Sequence, residues 1–249
     1  RAFKAECKKY IEEQFNNSEF ANLSSNWYQT SLNFRYSYNF EFLGRPIIQY
    51  PQDLIAIQEI IHETKPDLII ETGIAHGGSL IFSASMLALQ DVMDGIDPKI
   101  SKRKVIGIDI DIKPHNLKAI EEHPLSYKLN LIEGSSIDKK IVNKVKEIAK
   151  DSKKIMLLLD SNHTHDHVLN ELESYADLVS LDSYCIVSDT SIEQTKKGSY
   201  PNKSWDVGNS PLSALREWLK KHSEFEIDTL IDKKLMISVS PSGYIKRIK

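Results

Sequence analysis

The 249-residue sequence has only two cysteines and no apolar run near the roughly 20 residues that a membrane-spanning helix needs. Cys7 lies in a polar segment and Cys185 in a hydrophobic one, so a structural disulfide is not expected and a reducing cytoplasm is predicted. Basic residues do not outnumber acidic ones, and the formal net charge is −3. This balance argues against nucleic acid or an anionic membrane as a partner.

The sequence also lacks the GxGxxG fingerprint of dinucleotide-binding proteins, although residues 68–80 (LIIETGIAHGGSL) come close to it. An aliphatic strand runs directly into a turn with three glycines, and a segment rich in small, helix-compatible residues follows. In α/β proteins this order brings backbone N–H groups to a nucleotide or a similar cofactor. Glu71 precedes the first glycine, which argues against a pyrophosphate and for a cationic or hydroxyl-bearing ligand.

From residue 51 onwards, strand-like and helix-like segments alternate. Such alternation predicts an α/β fold with a doubly wound, mostly parallel sheet of the Rossmann-like kind. Two further strand-like runs, 235–239 and 244–248, flank a Ser-Pro-Ser-Gly turn and predict a C-terminal antiparallel hairpin that completes seven strands. The five predicted parallel strands are 68–71, 105–110, 127–132, 155–159 and one within 178–187.

Residues 1–50 do not share this pattern and are predicted to form an N-terminal helix and an aromatic cover segment over a main domain of residues 51–249. Residues 1–20 have the composition of a mixed-charge helix, whereas residues 21–50 show no regular period and predict a loop-rich cover. The cover either plugs one end of the core or walls a substrate or cofactor pocket. Its aromatic residues are Trp27, Tyr28, Phe34, Tyr36, Tyr38, Phe40 and Phe42.

Almost every predicted parallel strand ends in an acidic residue, at the edge where ligands of an open parallel sheet bind. Burying several carboxylates together is costly unless cations or hydrogen-bond donors satisfy them, so we expect a positively charged ligand there. Asp109 could accept hydrogen bonds from a ribose diol, or it could cap the helix predicted to start near Pro114. The acids are Glu71, Asp109, Asp111, Glu133, Asp160 and Asp189.

The segment 160–167, DSNHTHDH, forms a second cluster of chemically active residues. Asp160 and Asp189 end predicted neighbouring strands, and two carboxylates with waters and substrate oxygens suit Mg²⁺. His163 follows closely and is placed to take a proton from a hydroxyl bound at that metal. His163, His165 and His167 could instead hold zinc, or the last two could only cap and solvate the following helix.

Four blocks of the sequence together resemble the cephalosporin hydroxylase family over about residues 45–249: ETGIAHGGSL, VIGIDIDIKPHN, IEGSSID and LLLDSNHTHDHV. Despite its name, that family has the class I S-adenosylmethionine-dependent methyltransferase fold and includes rhamnosyl O-methyltransferases. The resemblance therefore implies an enzyme that methylates a hydroxyl of a saccharide or glycosylated metabolite. It also implies S-adenosylmethionine and Mg²⁺ as cofactors and a homo-oligomer.

The resemblance further implies a role for each matching position. Asp160 and Asp189 would bind Mg²⁺, with Asp160 also counted among the catalytic residues, and His163 would be the general base. Asp109 would bind the ribose hydroxyls of the cofactor. The remaining cofactor-binding positions serve the methionine moiety and the adenine: Glu71, Gly73, Ala75, Gly77, Gly78 and Ser79 for the former, and Ser135 or Ser136 for the latter.

One position departs from the family pattern. Related sugar methyltransferases carry two consecutive acids at the second metal position, where this chain has Ser188 and Asp189. The resemblance therefore implies a weaker metal site here, or one completed by water, Asp182 or Glu193.

The sequence is also compatible with other functions and with two roles for one loop. A nicotinamide-dependent oxidoreductase would use the same kind of sheet, and a non-catalytic binding protein could retain the fold. A β-lactam hydroxylase is disfavoured because no clear two-histidine, one-carboxylate iron site is present. The polar loop 188–209, with Tyr200 and Trp205, is either a lid over the acceptor or a surface excursion.

Overall fold

A seven-stranded sheet forms the centre of the protein in the computed structural model, which describes residues 2–249. The strands are β1 (Phe40–Phe42), β2 (Arg45–Ile47), β3 (Leu68–Thr72), β4 (Lys104–Asp109), β5 (Leu129–Glu133), β6 (Ile155–Leu159), β7 (Tyr184–Val187), β8 (Phe225–Ile227) and β9 (Tyr244–Arg247). The helices are α1 (Ala2–Asn16), α2 (Ser18–Leu32), α3 (Pro51–Thr64), α4 (Gly78–Met93), α5 (Pro114–Glu121), α6 (Lys139–Ala149), α7 (His165–Tyr175), α8 (Pro211–Trp218) and α9 (Thr229–Leu235).

The strands of the large sheet lie in the order β5-β4-β3-β6-β7-β9-β8. Strands β3 to β7 are mutually parallel, and β9 is antiparallel to both of its neighbours. This confirms the predicted doubly wound, mostly parallel sheet. From β3 the chain first builds β4 and β5 on one side and then returns to build β6 on the other. A crevice therefore opens beyond the carboxyl ends of β3 and β6, where open α/β sheets bind ligands.

Buried apolar side chains cover both faces of the sheet, because successive residues of a strand point to opposite faces. In β3, Ile70 packs with side chains of α6, α7 and α8, whereas Ile69 packs with those of α3 and α4. Both cysteines are free, and Cys185 is buried in β7. Among residues 2–249, no helix has the length and apolar character needed to cross a membrane.

The antiparallel strands near the C-terminus are present, but the predicted first strand of the hairpin is wrong. The partner of β9 on its outer side is β8, and the predicted strand 235–239 falls on the end of α9 and the turn after it. Asp53 holds this turn against the start of α3, because its carboxylate accepts hydrogen bonds from the Ser238 hydroxyl at 2.5 Å and the Val239 N–H at 3.0 Å. The turn is therefore bound to a side chain and not to a neighbouring strand.

The loop-rich cover predicted for residues 21–50 is also partly wrong, because α2 continues to Leu32. The Asn17 side chain caps α2 by accepting a hydrogen bond from the Phe20 N–H at 2.9 Å. Only Ser24, Tyr28 and Ser31 are buried within α2, so the helix lacks the broad apolar stripe by which a helix is recognised in a sequence. After α2, the chain forms a short antiparallel hairpin of β1 and β2. A domain boundary at residue 50 remains a prediction.

Candidate active site

The glycine turn between β3 and α4 lies directly against the carboxyl end of β6. Gly73 has a φ of +80°, and a Cβ atom at this position would lie 2.0 Å from the carbonyl oxygen of Asp160. Its N–H donates to the carbonyl of Ile108 in β4 at 2.8 Å. Glycine is required here by both the backbone conformation and the close approach. The turn thereby joins the ends of β3, β4 and β6.

Asp109 at the end of β4 supports the same turn. One carboxylate oxygen accepts hydrogen bonds from the N–H groups of Ile74 at 3.0 Å and Ala75 at 3.3 Å, and the other accepts from the Asp111 N–H at 3.2 Å. The alternative role as a cap of α5 is wrong, since the N-terminus of α5 has no side-chain cap. Asp111 instead pairs with Lys113 at the surface.

Two cavities meet at this edge of the sheet. The smaller has a volume of about 270 Å³ and lies between the ends of β4 and β5 and the start of α7. The larger has a volume of about 690 Å³ and extends from the ends of β3 and β6 towards the N-terminal segment. The residues that line both are Gly73, Asp109, Ser161 and Trp205.

The residues that line the larger cavity show what the aromatic cover (residues 21–50) and the polar loop 188–209 do. Tyr28, Arg35 and Tyr36 line it, so the aromatic cover walls a pocket. The loop after β7 also contributes side chains, including Tyr200 and Trp205, and is therefore more than a surface excursion. Both segments lie outside the sheet and close the cavity from the side opposite the strand ends.

Asp160, His163 and Asp189 form a compact cluster at the inner end of the larger cavity. One ligand atom from each lies within 4.8 Å of those of the other two, and no other such group of three metal-ligating residues occurs in residues 2–249. The Nδ1 atom of His163 lies 3.6 Å from a carboxylate oxygen of Asp189, and its ring packs edge-on against Trp205 with centroids 4.7 Å apart. The predicted metal and base residues are thus adjacent in space.

The electrostatics of the cluster favour a cation. Burial of the Asp160 carboxyl raises its pKa well above the usual range, and the facing carboxylates of Asp189 and Glu71 raise it further. The side chain of Gln49 donates a hydrogen bond to Asp160 at 3.2 Å, which offsets part of the repulsion. A divalent cation between Asp160 and Asp189 would remove the rest.

A model of the rhamnosyl O-methyltransferase/CmcI family matches residues 34–248. The chain belongs to this family. The match confirms the resemblance drawn from the four sequence blocks. Rhamnosyl O-methyltransferase of Mycobacterium tuberculosis H37Rv is 30% identical over 197 residues, which cover 78% of this chain and 73% of that protein. The Mycobacterium leprae enzyme of the same name is 26% identical over 208 residues, covering 83% and 82% of the two chains.

Solved structures of CmcI share the fold of this family member. CmcI-N160 in its apo form has a TM-score of 0.55 at 20% identity, covering 85% of this chain and 77% of that one. CmcI-D160 with Mg and SAM has a TM-score of 0.53 at 18% identity, covering 85% and 78%. At this identity the likeness concerns the fold, and it agrees with the seven-stranded sheet described above.

Glu71 lies near the end of β3 as predicted, but beneath the larger cavity and not among the residues that line it. Its side chain is almost fully buried, and one of its oxygens accepts a hydrogen bond from Ser79, which does line the cavity. The other oxygen is buried and has no hydrogen-bond partner within residues 2–249. Burial raises the pKa of Glu71 to about 7. Ser79 therefore stands between this acid and any ligand.

The other glycine-turn positions divide between packing and lining. Gly77 precedes α4 with a φ of +83° and packs on Ile120, outside both cavities. Gly78 lines the larger cavity, and a Cβ atom there would lie 2.3 Å from the carbonyl oxygen of Pro46. Ala75 also lines the larger cavity, whereas Ser135 and Ser136 line the smaller one.

Neither of the two acids considered as replacements at position 188 reaches the metal cluster. Asp182 lies before β7, and its carboxylate is 3.7 Å from the ammonium of Lys246. Glu193 accepts hydrogen bonds from the Gly208 N–H at 2.8 Å and the Ser210 hydroxyl at 2.5 Å, so it braces the loop before α8. His163 contacts Asp189, and Gln49 donates a hydrogen bond to Asp160.

The zinc alternative is wrong, because the three histidines diverge. The His165 ring contacts the Ser213 hydroxyl on α8 at 2.8 Å, while His163 faces Asp189. The Nε2 atom of His167 lies 3.0 Å from the hydroxyl oxygens of both Ser136 and Ser161, and His167 lines the smaller cavity. The expectation that His167 only caps and solvates α7 is therefore wrong as well.

Proposed function

We propose that the protein transfers a methyl group from S-adenosylmethionine to a hydroxyl of a saccharide or glycosylated metabolite, with Mg²⁺ bound by Asp160 and Asp189 and with His163 as general base. The observation that carries the proposal is the position of the Asp160–His163–Asp189 cluster, which opens into a cavity that meets a second cavity at the glycine turn. Relatives at up to 30% identity are rhamnosyl O-methyltransferases, and one solved CmcI structure contains Mg and SAM.

The smaller cavity is suited to the nucleoside of the cofactor. Asp109 lines it, and the oxygen that accepts only from the Asp111 N–H retains a lone pair, so it could also accept from a ribose hydroxyl. Ser135 and Ser136 line the part assigned to the adenine. Glu71 lies behind Ser79, so it would act on a positively charged amino-acid end of the cofactor through its charge and through that hydroxyl, not by direct contact.

The donor set of the cluster fits Mg²⁺. Two carboxylates with room for water and substrate oxygens suit this hard cation. Burial and the facing carboxylates raise the pKa of Asp160, and a cation would offset both. When bound, Mg²⁺ would supply Lewis-acid chemistry by orienting the acceptor hydroxyl and lowering its pKa. Gln49 would keep Asp160 in place through its side-chain amide.

His163 is arranged to receive the proton of the acceptor hydroxyl. Its Nδ1 faces Asp189, the T-shaped contact with Trp205 fixes the ring plane, and Nε2 makes no hydrogen bond within residues 2–249. A base needs one free nitrogen and a held orientation, and both conditions are met. The remaining task of the protein is alignment, since the sulfonium already activates the methyl group and transfer requires acceptor and donor in line.

We also propose that the enzyme acts as a homo-oligomer in the cytoplasm. The free cysteines support a reducing compartment. No residue of α1 is buried, and large apolar side chains of α1 and α2 such as Phe3, Phe20 and Leu23 are exposed, which supports contacts between copies. Light scattering coupled to gel filtration tests the oligomer, and a monomer at micromolar concentration would contradict it.

Isothermal titration and a methylation assay test the proposed function. We expect S-adenosylhomocysteine to bind and NAD not to bind, and we expect Mg²⁺-dependent methylation of a rhamnoside detected by mass spectrometry. Tight binding of NAD without binding of S-adenosylhomocysteine would support the oxidoreductase alternative and overturn the proposal. Binding of S-adenosylhomocysteine with no change in cellular function on His163→Ala would support a non-catalytic protein.

A further inference from the structure

Glu171 on α7 is a buried carboxylate for which the proposed reaction has no use. Its side chain is fully buried, one oxygen accepts a hydrogen bond from the Ser161 hydroxyl at 2.7 Å, and the other has no partner within residues 2–249. A buried carboxylate is costly to keep, so a site that retains one gains something from it. Among residues 2–249, Ser161 is the only side chain that donates a hydrogen bond to it, and Nε2 of His167 lies 3.5 Å from the same oxygen. Ser161 lines both cavities.

The hydrogen bond from Ser161 fixes the proton on His167. A serine hydroxyl has a single proton, and an ionised carboxylate can only accept hydrogen bonds. Ser161 therefore donates its proton in the hydrogen bond to Glu171. Ser161 is also 3.0 Å from Nε2 of His167, and it must accept in that contact. Nε2 therefore carries the proton of the neutral imidazole, and Nδ1 becomes a hydrogen-bond acceptor.

The result is a defined pair of polar groups in the smaller cavity. Nδ1 of His167 makes no hydrogen bond within residues 2–249, and the side chain is 16% exposed in the cavity that it lines. Ser136 is 3.0 Å from the same Nε2 and cannot donate to a protonated nitrogen, so its own hydroxyl proton is available to a ligand. Within this cavity, His167 thus presents an acceptor and Ser136 presents a donor.

We propose that Glu171, acting through Ser161, fixes the tautomer of His167 so that the smaller cavity selects adenine by its exocyclic amino group. Adenine presents an amino donor beside a ring-nitrogen acceptor, which complements the His167–Ser136 pair. Hypoxanthine presents a carbonyl acceptor beside an N–H donor, which opposes it. This inference rests on the proposed function, since it requires the cofactor nucleoside in this cavity. His167 contacts the base, and Glu171 is a positioning residue.

Calorimetric titration with two ligands that differ only at this edge tests the inference. The ligands are S-adenosylhomocysteine and its deaminated analogue S-inosylhomocysteine. We expect the wild-type protein to prefer the adenosyl ligand by roughly 10- to 100-fold, the effect expected when a buried polar group is left without a hydrogen-bond partner. His167→Phe should reduce this preference at least tenfold. Glu171→Gln should also reduce the preference for the adenosyl ligand. An amide at this position can donate a hydrogen bond to Ser161, so Nε2 of His167 would no longer have to carry the proton.

His165→Phe is the matched control, because His165 lies on the same helix and contacts Ser213 outside both cavities. We expect it to keep the wild-type preference, and an equal loss in this variant would overturn the inference in favour of a structural role of α7. Ser161→Ala keeps the imidazole of His167 but removes the hydroxyl that connects it to Glu171. This variant provides the test if His167→Phe does not fold. An unchanged preference in Ser161→Ala and Glu171→Gln would overturn the inference.

The outcome also separates this inference from the proposed function. If the wild-type protein binds both ligands equally, the cofactor assignment stands and the selection of adenine by His167 is wrong. If it binds neither ligand, the proposed function itself fails, and the inference fails with it.

Discussion

The carbonyl oxygen of Asp160 lies against Gly73 so closely that any side chain at position 73 would collide with it, since a Cβ atom there would be 2.0 Å away. This contact joins the turn that follows β3 to the aspartate that follows β6. The proposed methyl-donor side and the proposed metal side of the site are therefore coupled through one backbone contact.

Gly73→Ala should destabilise the protein and displace Asp160. The positive φ costs on the order of 1 kcal/mol or more for a non-glycine residue, and the collision with the Asp160 carbonyl adds to it. Gly95→Ala is the matched control, because Gly95 has a φ of +72° and open space around its Cβ position. Thermal unfolding of both variants measures the difference. Equal losses of stability would show that the contact with Asp160 does not matter.

Asp160→Asn should have opposite effects on the metal-free and the Mg²⁺-loaded protein. Without Mg²⁺ the variant should unfold at a higher temperature, because it removes the cost of burying a carboxyl group that faces Asp189 and Glu71. The stabilisation that Mg²⁺ gives to the wild-type protein should be lost. Asp111→Asn, at an exposed acid of the same sheet edge, should leave the Mg²⁺ effect unchanged. A wild-type protein that shows no thermal shift with Mg²⁺ would contradict the metal site.

His163→Ala should lower kcat by about 10²- to 10⁴-fold, the contribution expected of a general base. The dissociation constant of S-adenosylhomocysteine should stay within a few fold of the wild-type value, because His163 lines the larger cavity and not the smaller one. His115→Ala, at an exposed position of α5, serves as the control and should keep full activity. Retained turnover in His163→Ala would exclude this residue as the base.

The stability of the ligand-free protein should depend on the charge of Glu71. Its pKa in the folded protein is about 7, because burial disfavours the carboxylate, whereas the ordinary value is 4.5. The folded state therefore holds the proton more tightly. Stability from this group is fully present below about pH 4.5 and is lost as the pH rises through 7, by roughly 3 kcal/mol.

Glu71→Gln should flatten this part of the pH profile, while the amide oxygen still accepts the hydrogen bond from Ser79. Glu133→Gln, at the exposed end of β5, is the control and should leave the profile unchanged. Urea unfolding at pH 5, 6, 7 and 8 provides the measurement. Asp53, whose pKa burial raises to about 6, contributes in the same direction and should leave some slope in the Glu71→Gln variant. Identical slopes in the wild type and Glu71→Gln would contradict the prediction.

Local patterns carried most of what was predictable. The strand at 155–159 consists of consecutive apolar residues, and it occurs where the sequence predicts it. The helix predicted to start near His165 also begins there. Acids at strand ends could be brought together from the sequence because parallel strands end at one edge. The strand predicted at 235–239 is wrong. Its apolar residues are typical of a strand, but its conformation is set by hydrogen bonds to Asp53, which is far away in the sequence.

The missed site residues share one property, which is that their partners are distant in the sequence and belong to no periodic pattern. Gln49 reaches Asp160 across 111 residues from a segment with no regular period. His167 was assigned to a helix cap, because its contact with Ser136 requires the three-dimensional packing of α7 beside the end of β5. The close spacing of the three histidines indicates a functional segment, but it does not show which neighbours each ring contacts.

The two sides of the larger cavity come from different parts of the chain. Strand ends that also hold the core together form the inner side, whereas residues such as Arg35, Tyr200 and Lys203 on the outer side belong to segments outside the sheet. Substitutions on the outer side can therefore change which acceptor fits without altering the sheet or the donor groups. Acceptor preference can diverge rapidly among related enzymes on such a scaffold, while the methyl-donor chemistry is inherited unchanged.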